Sequence, residues 1–365
     1  MPNVLHVRVV SGSGGGPEKT IINSPRFLTP FGYPCQCAYM YPPGDPGFDT
    51  LQRRADAAQC PLIGIEDRGA LDFSVVKKLY KICKESNVQI WHGHDYKSNA
   101  IGLLLRRLHK MKLVTTVHGW VHHTAKTPLY YAVDKFCLRR YDRVVCVSDD
   151  LFQQCSQLGV RQERLTLIEN AIDANYFQPP ESKPASDRLE IGAVGRLEEE
   201  KGFIPLIETV AKIAKIHNNI HLSIYGEGSQ KAELNALIER LDAQRFVSLP
   251  GFESDLIRLY SSLDIFVLNS IREGLPNVCL EAMAMGVPMI STAVAGVPNL
   301  VTDQSDGLII PLSDSAALES ALIRLIESPQ LRQNLARNAR KTIVERFSFD
   351  KRMEKMRNLY EGLNL

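Results

Sequence analysis

Short apolar runs alternate with longer stretches of helical period along almost the whole chain. In the first half the apolar runs fall at 3–10, 35–41, 61–65, 88–92, 112–117, 142–147 and 164–168, each about the length of a buried strand. Between them, 72–86, 96–109, 128–140 and 149–158 repeat their apolar positions with helical spacing. The alternation pauses at 178–188, Gln178-Pro179-Pro180-Glu181-Ser182-Lys183-Pro184-Ala185-Ser186-Asp187-Arg188, a stretch with three prolines and no apolar period. It reads as a linker. Strands are then predicted at 189–194, 220–225, 246–249, 264–268, 288–291 and 307–310, and helices at 202–216, 228–242, 253–261, 277–285 and 314–327. Helical patterns at 330–345 and 350–363 close the chain. Strand and helix in alternation build βαβ units on a parallel sheet. The pattern therefore predicts an α/β protein of two Rossmann-like, doubly wound domains, 1–177 and 189–346, with a last helical piece at 347–365. The halves repeat an architecture, not a sequence.

Length agrees, since 365 residues exceed one ordinary core. With 44% apolar and 23% charged residues the composition is that of a globular protein. A net charge of +2 gives no reason to expect a nucleic-acid partner. Its distribution says more: residues 1–172 carry 22 Lys and Arg against 15 Asp and Glu, a net of +7, and the remainder carries −5. This fits either a first half that meets an anionic membrane surface or a chance imbalance between two solvated surfaces. The apolar positions Leu129, Tyr130, Val133 and Phe136 lie among the cations Lys135, Arg139 and Arg140 and fit either a lipid contact or a core face. Eight cysteines form no C-x-x-C pair, and most sit in apolar stretches such as Val144-Val145-Cys146-Val147. They read as reduced, buried thiols of a cytoplasmic protein. The start, Met1-Pro2-Asn3-Val4-Leu5-His6, lacks a long apolar signal core, and no run approaches the ~18 apolar residues of a membrane span. The expected location is the cytoplasm, with peripheral attachment to the inner face of the membrane if the basic half docks there.

Open parallel sheets bind ligands beyond the carboxyl ends of their strands, so loops after strands carry most weight. Val194-Gly195-Arg196-Leu197-Glu198-Glu199-Glu200-Lys201-Gly202 lies between a strand and a helix. Arg196 and Lys201 put two cations at that edge, where they suit a diphosphate leaving group whose charge grows as its bond to a sugar breaks. The plain alternative is a solvated loop with surface ion pairs. Ser270-Ile271-Arg272-Glu273-Gly274-Leu275-Pro276-Asn277-Val278-Cys279-Leu280-Glu281 follows another strand. Gly274 permits close backbone approach, and Pro276 suits a first helical position. The free N–H groups near Leu275, Asn277 and Val278 form an anion site at the helix start. Glu273 and Glu281, with seven residues between them, supply carboxylates that accept hydrogen bonds from sugar hydroxyls. Here the alternative is a capping acid plus a surface acid.

The loop Gly12-Ser13-Gly14-Gly15-Gly16-Pro17-Glu18-Lys19 follows the first strand. A dinucleotide fingerprint fails on spacing, because Pro17 stands where the third glycine belongs and no strand-end acid follows about twenty residues on. Thr115-Thr116-Val117-His118-Gly119 ends a further strand. Tyr225-Gly226-Glu227-Gly228 and Leu249-Pro250-Gly251-Phe252 follow strands of the second half and suit turns or the border of a nucleotide base. His92, His94, His118, His122 and His123 cluster in sequence, but no standard zinc spacing accompanies them. His92 and His94 are expected on alternate faces with Gly93 between them, and no metal site is predicted. No D-x-D motif occurs either.

The pair Glu273…Glu281 resembles the E-x7-E signature of retaining GT-B glycosyltransferases of glycosyltransferase family 4. Gly195-Arg196-Leu197-Glu198-Glu199-Glu200-Lys201-Gly202 is similar to that family's diphosphate-binding segment. The resemblance covers nearly the whole chain through T-V-H-G, V-S-D-D-L, I-E-N-A-I-D, Y-G-E-G, L-P-G-F, G-V-P-N-L-V and D-G-L-I-I-P. Glu169, Ala171 and Asn299 depart from the commoner residues of these motifs. The resemblance implies two domains facing a cleft, acceptor bound mainly by the first and nucleotide sugar by the second. It implies a last helix that crosses back to the first domain after Phe347-Ser348-Phe349-Asp350. It also implies catalytic roles for His118, Arg196, Lys201 and Glu273. Donor binding falls to Gly15, Gly16, Gly226, Gly251, Phe252, Gly274, Leu275, Pro276, Asn277, Val278 and Glu281. The donor it implies is a nucleotide diphosphate sugar, with UDP expected in preference to GDP. The acceptor is a glycan or lipid-linked sugar, as in exopolysaccharide assembly, and no cofactor is expected. Rival readings are an epimerase or hydrolase of the same fold, a silent nucleotide-sugar-binding subunit, and a paired-carboxylate glycosidase, which has no use for a phosphate cradle.

Overall fold

The computed structural model describes residues 1–70, 72–119, 127–181, 187–273, 276–294 and 296–365. The chain divides into two compact units, Met1–Asn170 with Phe349–Leu365, and Ala171–Ser348. In the first unit strands and helices alternate as β1 (Asn3–Val9), α1 (Gly16–Leu28), β2 (Cys35–Tyr41), α2 (Gly47–Ala57), β3 (Leu62–Glu66), α3 (Phe73–Glu85), β4 (Val88–Gly93), α4 (Tyr96–Leu105), β5 (Lys112–Val117), α5 (Thr127–Leu138), β6 (Arg143–Cys146), α6 (Asp149–Gln157) and β7 (Leu165–Leu167). All pairings are parallel, in the order β3-β2-β1-β4-β5-β6-β7.

The second unit repeats the plan with β8 (Leu189–Val194), α7 (Phe203–Ile213), β9 (Ile220–Tyr225), α8 (Lys231–Arg240), β10 (Val247–Gly251), α9 (Leu256–Ser262), β11 (Ile265–Leu268), α10 (Asn277–Ala284), β12 (Met289–Thr292), α11 (Val297–Leu300), β13 (Leu308–Ile310), α12 (Ser315–Glu327) and α13 (Pro329–Thr342). Its sheet order is β10-β9-β8-β11-β12-β13, again parallel. The chain ends in α14 (Phe349–Glu361), which packs in the first unit. This is the two-domain GT-B fold. In each sheet the strand order reverses beside the first strand, between β1 and β4 and between β8 and β11. Such a reversal opens a crevice at the carboxyl ends, because the connections on its two sides leave in opposite directions.

The predicted strands and the observed ones agree to within one or two residues at each end. Helices α1, α2 and the four-residue α11 are additions. Gly-Gly-Pro opens α1 and Pro25 interrupts it, so its apolar spacing is blurred. In α2 only Phe48, Leu51 and Ala55 are buried, a thin stripe among polar residues.

The unit boundary also differs from the one predicted at 177. Residues 171–177 pack with the second unit. The Ile172 amide donates to the Phe347 carbonyl at 2.9 Å, and the Arg340 guanidinium donates to the Ala174 and Phe177 carbonyls at 2.7 and 2.6 Å. Prolines mark the exposed stretch that follows, but the crossing falls where apolar side chains change cores, and Ile172, Ala174 and Phe177 are buried in the second. Arg352 of α14 does the matching job in the first unit, donating to the Ile168 carbonyl at 2.8 Å and to that of Glu169. Glu169, one of the departures from the family pattern, also faces Lys355 of α14 at 3.4 Å.

All eight cysteines are free and buried. No helix among the described residues is long and apolar enough to cross a membrane.

Candidate active site

The second unit's crevice brings together residues far apart in sequence. The loop after β8 carries Gly195, Arg196 and Lys201, and the loop after β11 carries Ser270 and Glu273. Lys201 Nζ donates to Glu273 Oε1 at 2.5 Å, and Ser270 Oγ donates to the same oxygen at 2.8 Å. Both charged side chains keep some access to solvent, 16% and 15% exposed, so a ligand can reach them. Glycine makes this packing feasible. Gly202, just after Lys201, has φ +65°, and a Cβ there would stand 2.2 Å from the Asn269 carbonyl oxygen. Asn269 Nδ2 in turn donates to the Gly202 carbonyl at 2.8 Å, tying the two loops together. Gly226, at φ +150°, lies against Gly195, whose carbonyl oxygen would be 1.8 Å from an added Cβ.

Arg196 lies at the rim. It is 73% exposed and donates to Glu200 Oε1 at 2.8 Å. Pro276 is the residue before α10, in extended conformation, and Asn277 and Val278 open the helix. Gly274 and Leu275 lie outside the described residues. Glu281 is 3% exposed, and its Oε2 accepts from the Tyr260 hydroxyl at 2.9 Å. The alternative of a surface acid is thereby excluded for Glu281, and burial explains why it carries a dedicated partner. Gly251, at φ +87°, ends β10, and Phe252 beyond it is 76% exposed.

The first unit's crevice holds different chemistry. Its Gly-rich loop is closed by its own chain: the Gly12 amide donates to Asp45 Oδ2 at 2.7 Å and the Gly15 amide to Glu18 Oε2 at 2.6 Å. Gly16 is the first residue of α1. Glu18 also forms an ion pair with Arg8 of β1. Beside it lies a cavity of about 150 Å³ whose lining includes Arg8, Tyr96, Asn99, His118, Tyr131 and Asp134.

Behind this cavity four imidazoles form a stack. His6 of β1 stands opposite His92 of β4 in the register, and their ring centroids are 4.8 Å apart. His94 stacks on His92 at 4.6 Å with 9° between ring planes, and His118 on His94 at 5.4 Å. The expectation that His92 and His94 point to alternate faces is thus incorrect. Side chains in a strand alternate with a period of two, so positions 92 and 94 share a face. His6, His92 and His94 come close enough for their nitrogens to lie within 4.8 Å of one another. His122 and His123 lie outside the described residues.

The stack is neutral at ordinary pH. Burial, with the Arg352 cation, holds His6 down to about 3. Burial also pushes His92, His94 and His118 well below the usual histidine value, aided by neighbouring rings at His92 and His94, by Arg352 at His92, by Arg8 at His94, and by Arg8 and Arg352 at His118. Sequence reasoning singled out His118 but missed His6, Arg8, Ser270, Asn269 and Tyr260. The period-two placement of His92 and His94 was the one available signal; the rest depend on strand register.

A family model described as Glycosyl transferases group 1 matches residues 176–342, and one described as Glycosyltransferase Family 4 matches residues 14–176. The chain is 28% identical over 309 residues to the UDP-Gal:alpha-D-GlcNAc-diphosphoundecaprenol alpha-1,3-galactosyltransferase of Escherichia coli, covering 79% of each protein. It is 24% identical over 301 residues to the N-acetyl-alpha-D-glucosaminyl L-malate synthase of Bacillus anthracis, covering 79% of this chain and 78% of that one. The crystal structure of Anabaena HepE in complex with UDP is similar in fold, with a TM-score of 0.82 at 19% identity over 99% of this chain and 100% of that one. The two family models abut and leave only the chain ends unmatched; the chain belongs to the group 1, family 4 type of GT-B glycosyltransferases, which transfer sugars from nucleotide-sugar donors.

Proposed function

We propose that this enzyme moves one hexosyl unit, with retention at the anomeric carbon, from a UDP-sugar to a glycan or lipid-linked acceptor in polysaccharide assembly. The observation that carries the reading is the Lys201–Glu273 pair in the β8/β11 crevice. A fixed ammonium there stabilises a departing diphosphate more as its charge grows than in the ground state. Glu273, already accepting from Lys201 and Ser270, has a second oxygen to receive a sugar hydroxyl. The α10 start adds backbone N–H groups for phosphate. Arg196 reaches the leaving group by exchanging Glu200 for phosphate.

Attack from the face of the departing diphosphate retains configuration, and the phosphate itself takes the acceptor proton. Two cations perform the electrostatic work of a metal ion, so no cofactor is required. The preference for UDP draws on the relatives: the Escherichia coli enzyme is named for a UDP-Gal donor and a diphosphoundecaprenol-linked acceptor, and HepE has been crystallised with UDP and with UDP-glucose.

The test is a donor panel read by thermal shift, followed by NMR of the product. Stabilisation by UDP-sugars and an axial-to-axial or equatorial-to-equatorial outcome supports the reading. An inverted anomeric centre overturns retention. Release of free sugar or an epimer without transfer favours the hydrolase or epimerase. Activity is expected to survive EDTA; loss that Mg²⁺ or Mn²⁺ restores would contradict metal independence.

A second part of the proposal concerns location. Val133 and Phe136 of α5 are 37% and 53% exposed, so they do not serve as a core face. Leu104 and Leu108, at and just beyond the end of α4, are likewise exposed, at 44% and 61%. Arg107, Lys110 and Arg140 accompany them in sequence. Arg140 lies 3.6 Å over the Phe136 ring, an arrangement that leaves both available at a lipid interface. We read this as peripheral docking to an anionic leaflet on the cytoplasmic side.

A further inference from the structure

We infer that His94, backed by His6, is a positioning residue that fixes His118 as the Nδ1–H tautomer, so that His118 meets its ligand as a hydrogen-bond donor. The inference rests on the transferase reading only for the identity of that ligand. Its geometry is a chain of three rings. His6 Nδ1 and His94 Nε2 share a hydrogen bond of 3.0 Å, and His94 Nδ1 and His118 Nε2 share one of 3.2 Å.

A neutral imidazole carries one N–H. If His94 donates through one nitrogen it must accept through the other, so the sense of one bond sets the other. Two senses are open. Running from His118 to His6, the chain ends in an N–H at His6 Nε2. That atom is buried and has no partner among the described residues. A buried, orphaned donor is rare, because it gives up its hydrogen bond to water and gains none in return. The Arg352 guanidinium also acts on His6, and a cation disfavours a further positive hydrogen nearby.

Running the other way, His6 donates to His94, His94 donates to His118, and only a lone pair is left unmatched at His6 Nε2. His118 Nε2 then accepts, and its proton sits on Nδ1. Because Nε2 is occupied by His94, Nδ1 is the nitrogen left for the cavity that His118 helps to line. A donor there suits the oxygen of a sugar hydroxyl and cannot act as the base that activates an acceptor.

His92 holds the stack without joining the chain. Its Nδ1 bonds the Tyr360 hydroxyl at 2.6 Å and its Nε2 the Thr116 hydroxyl at 2.8 Å. The same cluster is a poor cation site: the His6–His94 hydrogen bond fills the gap between rings, both nitrogens of His92 are engaged, and Arg8 and Arg352 are the charges that act on it.

The experiment is long-range ¹H–¹⁵N NMR of the full-length, ligand-free chain labelled at histidine, with His118 assigned by a His118→Asn variant. The wild type is expected to show His118 as a single tautomer protonated at Nδ1. His94→Phe keeps an aromatic ring but removes both nitrogens, and should leave His118 a mixture of tautomers. His94→Asn, whose amide can donate from the place of Nδ1, should restore the single state. His6→Phe removes the far end of the chain and is read in the same way, whether or not His94→Phe folds. Turnover is expected to fall roughly 10–100-fold in His94→Phe, by analogy with removing the partner that orients a metal-bound histidine, and to recover in His94→Asn. An Nε2–H His118 in the wild type, or an unchanged Nδ1–H state in folded His94→Phe or His6→Phe, overturns the inference. Since the spectra need neither donor nor acceptor, a wrong assignment of the reaction would leave this result standing.

Discussion

The two units share one topology and put opposite chemistry at the same place. Each has a crevice where the strand order reverses, β1/β4 in one and β8/β11 in the other. The second unit fills it with a solvent-reached ion pair, Lys201 and Glu273. The first fills it with neutral imidazoles and one arginine already paired to Glu18. In the second unit Gly202 brings the Lys201 loop against Asn269, whereas in the first the Gly15 amide is bound by Glu18 of its own helix. A fold therefore supplies a position, and the residues at that position decide whether it answers charge or hydroxyl groups.

The contrast breaks first at Lys201. Lys201→Ala is expected to lower kcat about 10²–10³-fold, equivalent to ~2.7–4 kcal/mol of transition-state stabilisation, with donor-induced thermal shift largely kept. Arg196→Ala should act in the same direction. Turnover near wild type in steady-state assays would remove the leaving-group role from the residue concerned.

Next comes the buried acid of the second unit. Tyr260→Phe removes the donor to Glu281 while keeping the ring. A loss of roughly 1.5–3 kcal/mol is expected, since the partner is a carboxylate in the protein interior. Urea unfolding monitored by circular dichroism would measure it, and a change under about 0.5 kcal/mol would mean that Glu281 is satisfied without Tyr260.

Acid should separate the units. The stacked histidines are held below their ordinary value in the folded state. The unfolded chain therefore binds more protons than the folded one below the unfolded value of about 6.5. Their contribution is complete above that pH and declines as pH falls, for His6 across the window from about 6.5 to about 3. The expected slope approaches 1.4 kcal/mol per pH unit for each such histidine. The chain has two tryptophans, and Trp91 is buried in the core of the first unit, so tryptophan fluorescence during urea titrations at pH 7 and pH 5 follows that core. Equal stability at the two pH values would argue against a neutral stack.

The smallest effect is at the membrane. Each well-placed cation near anionic lipid contributes ~1 kcal/mol, and salt weakens it. Co-sedimentation with anionic vesicles at low salt should exceed that with neutral vesicles, and Arg107→Glu with Arg140→Glu should reduce it. Equal binding to both vesicle types, or none, would confine the first unit's role to soluble chemistry.

Much of this was legible beforehand. A buried parallel strand needs a short apolar run, and the runs at 35–41, 112–117, 189–194 and 220–225 coincide with β2, β5, β8 and β9. The motifs around Lys201 and Glu273 could be read as one site because each directly follows such a run. Helix α1 was hidden by its glycines and prolines, and the crossing between units by its lack of any compositional mark at 170.

By itself the sequence determined two α/β units, their strand-end loops and the residues in them that can meet a diphosphate, since periodicity and local chain geometry are properties of neighbours along the chain. Only the tertiary structure decided which distant side chains meet. Strand order placed Lys201 on Glu273, register placed His6 against His92, and packing buried Glu281 under Tyr260. Those contacts depend on register and close packing across 72, 86 and 21 positions of chain, which no local pattern encodes.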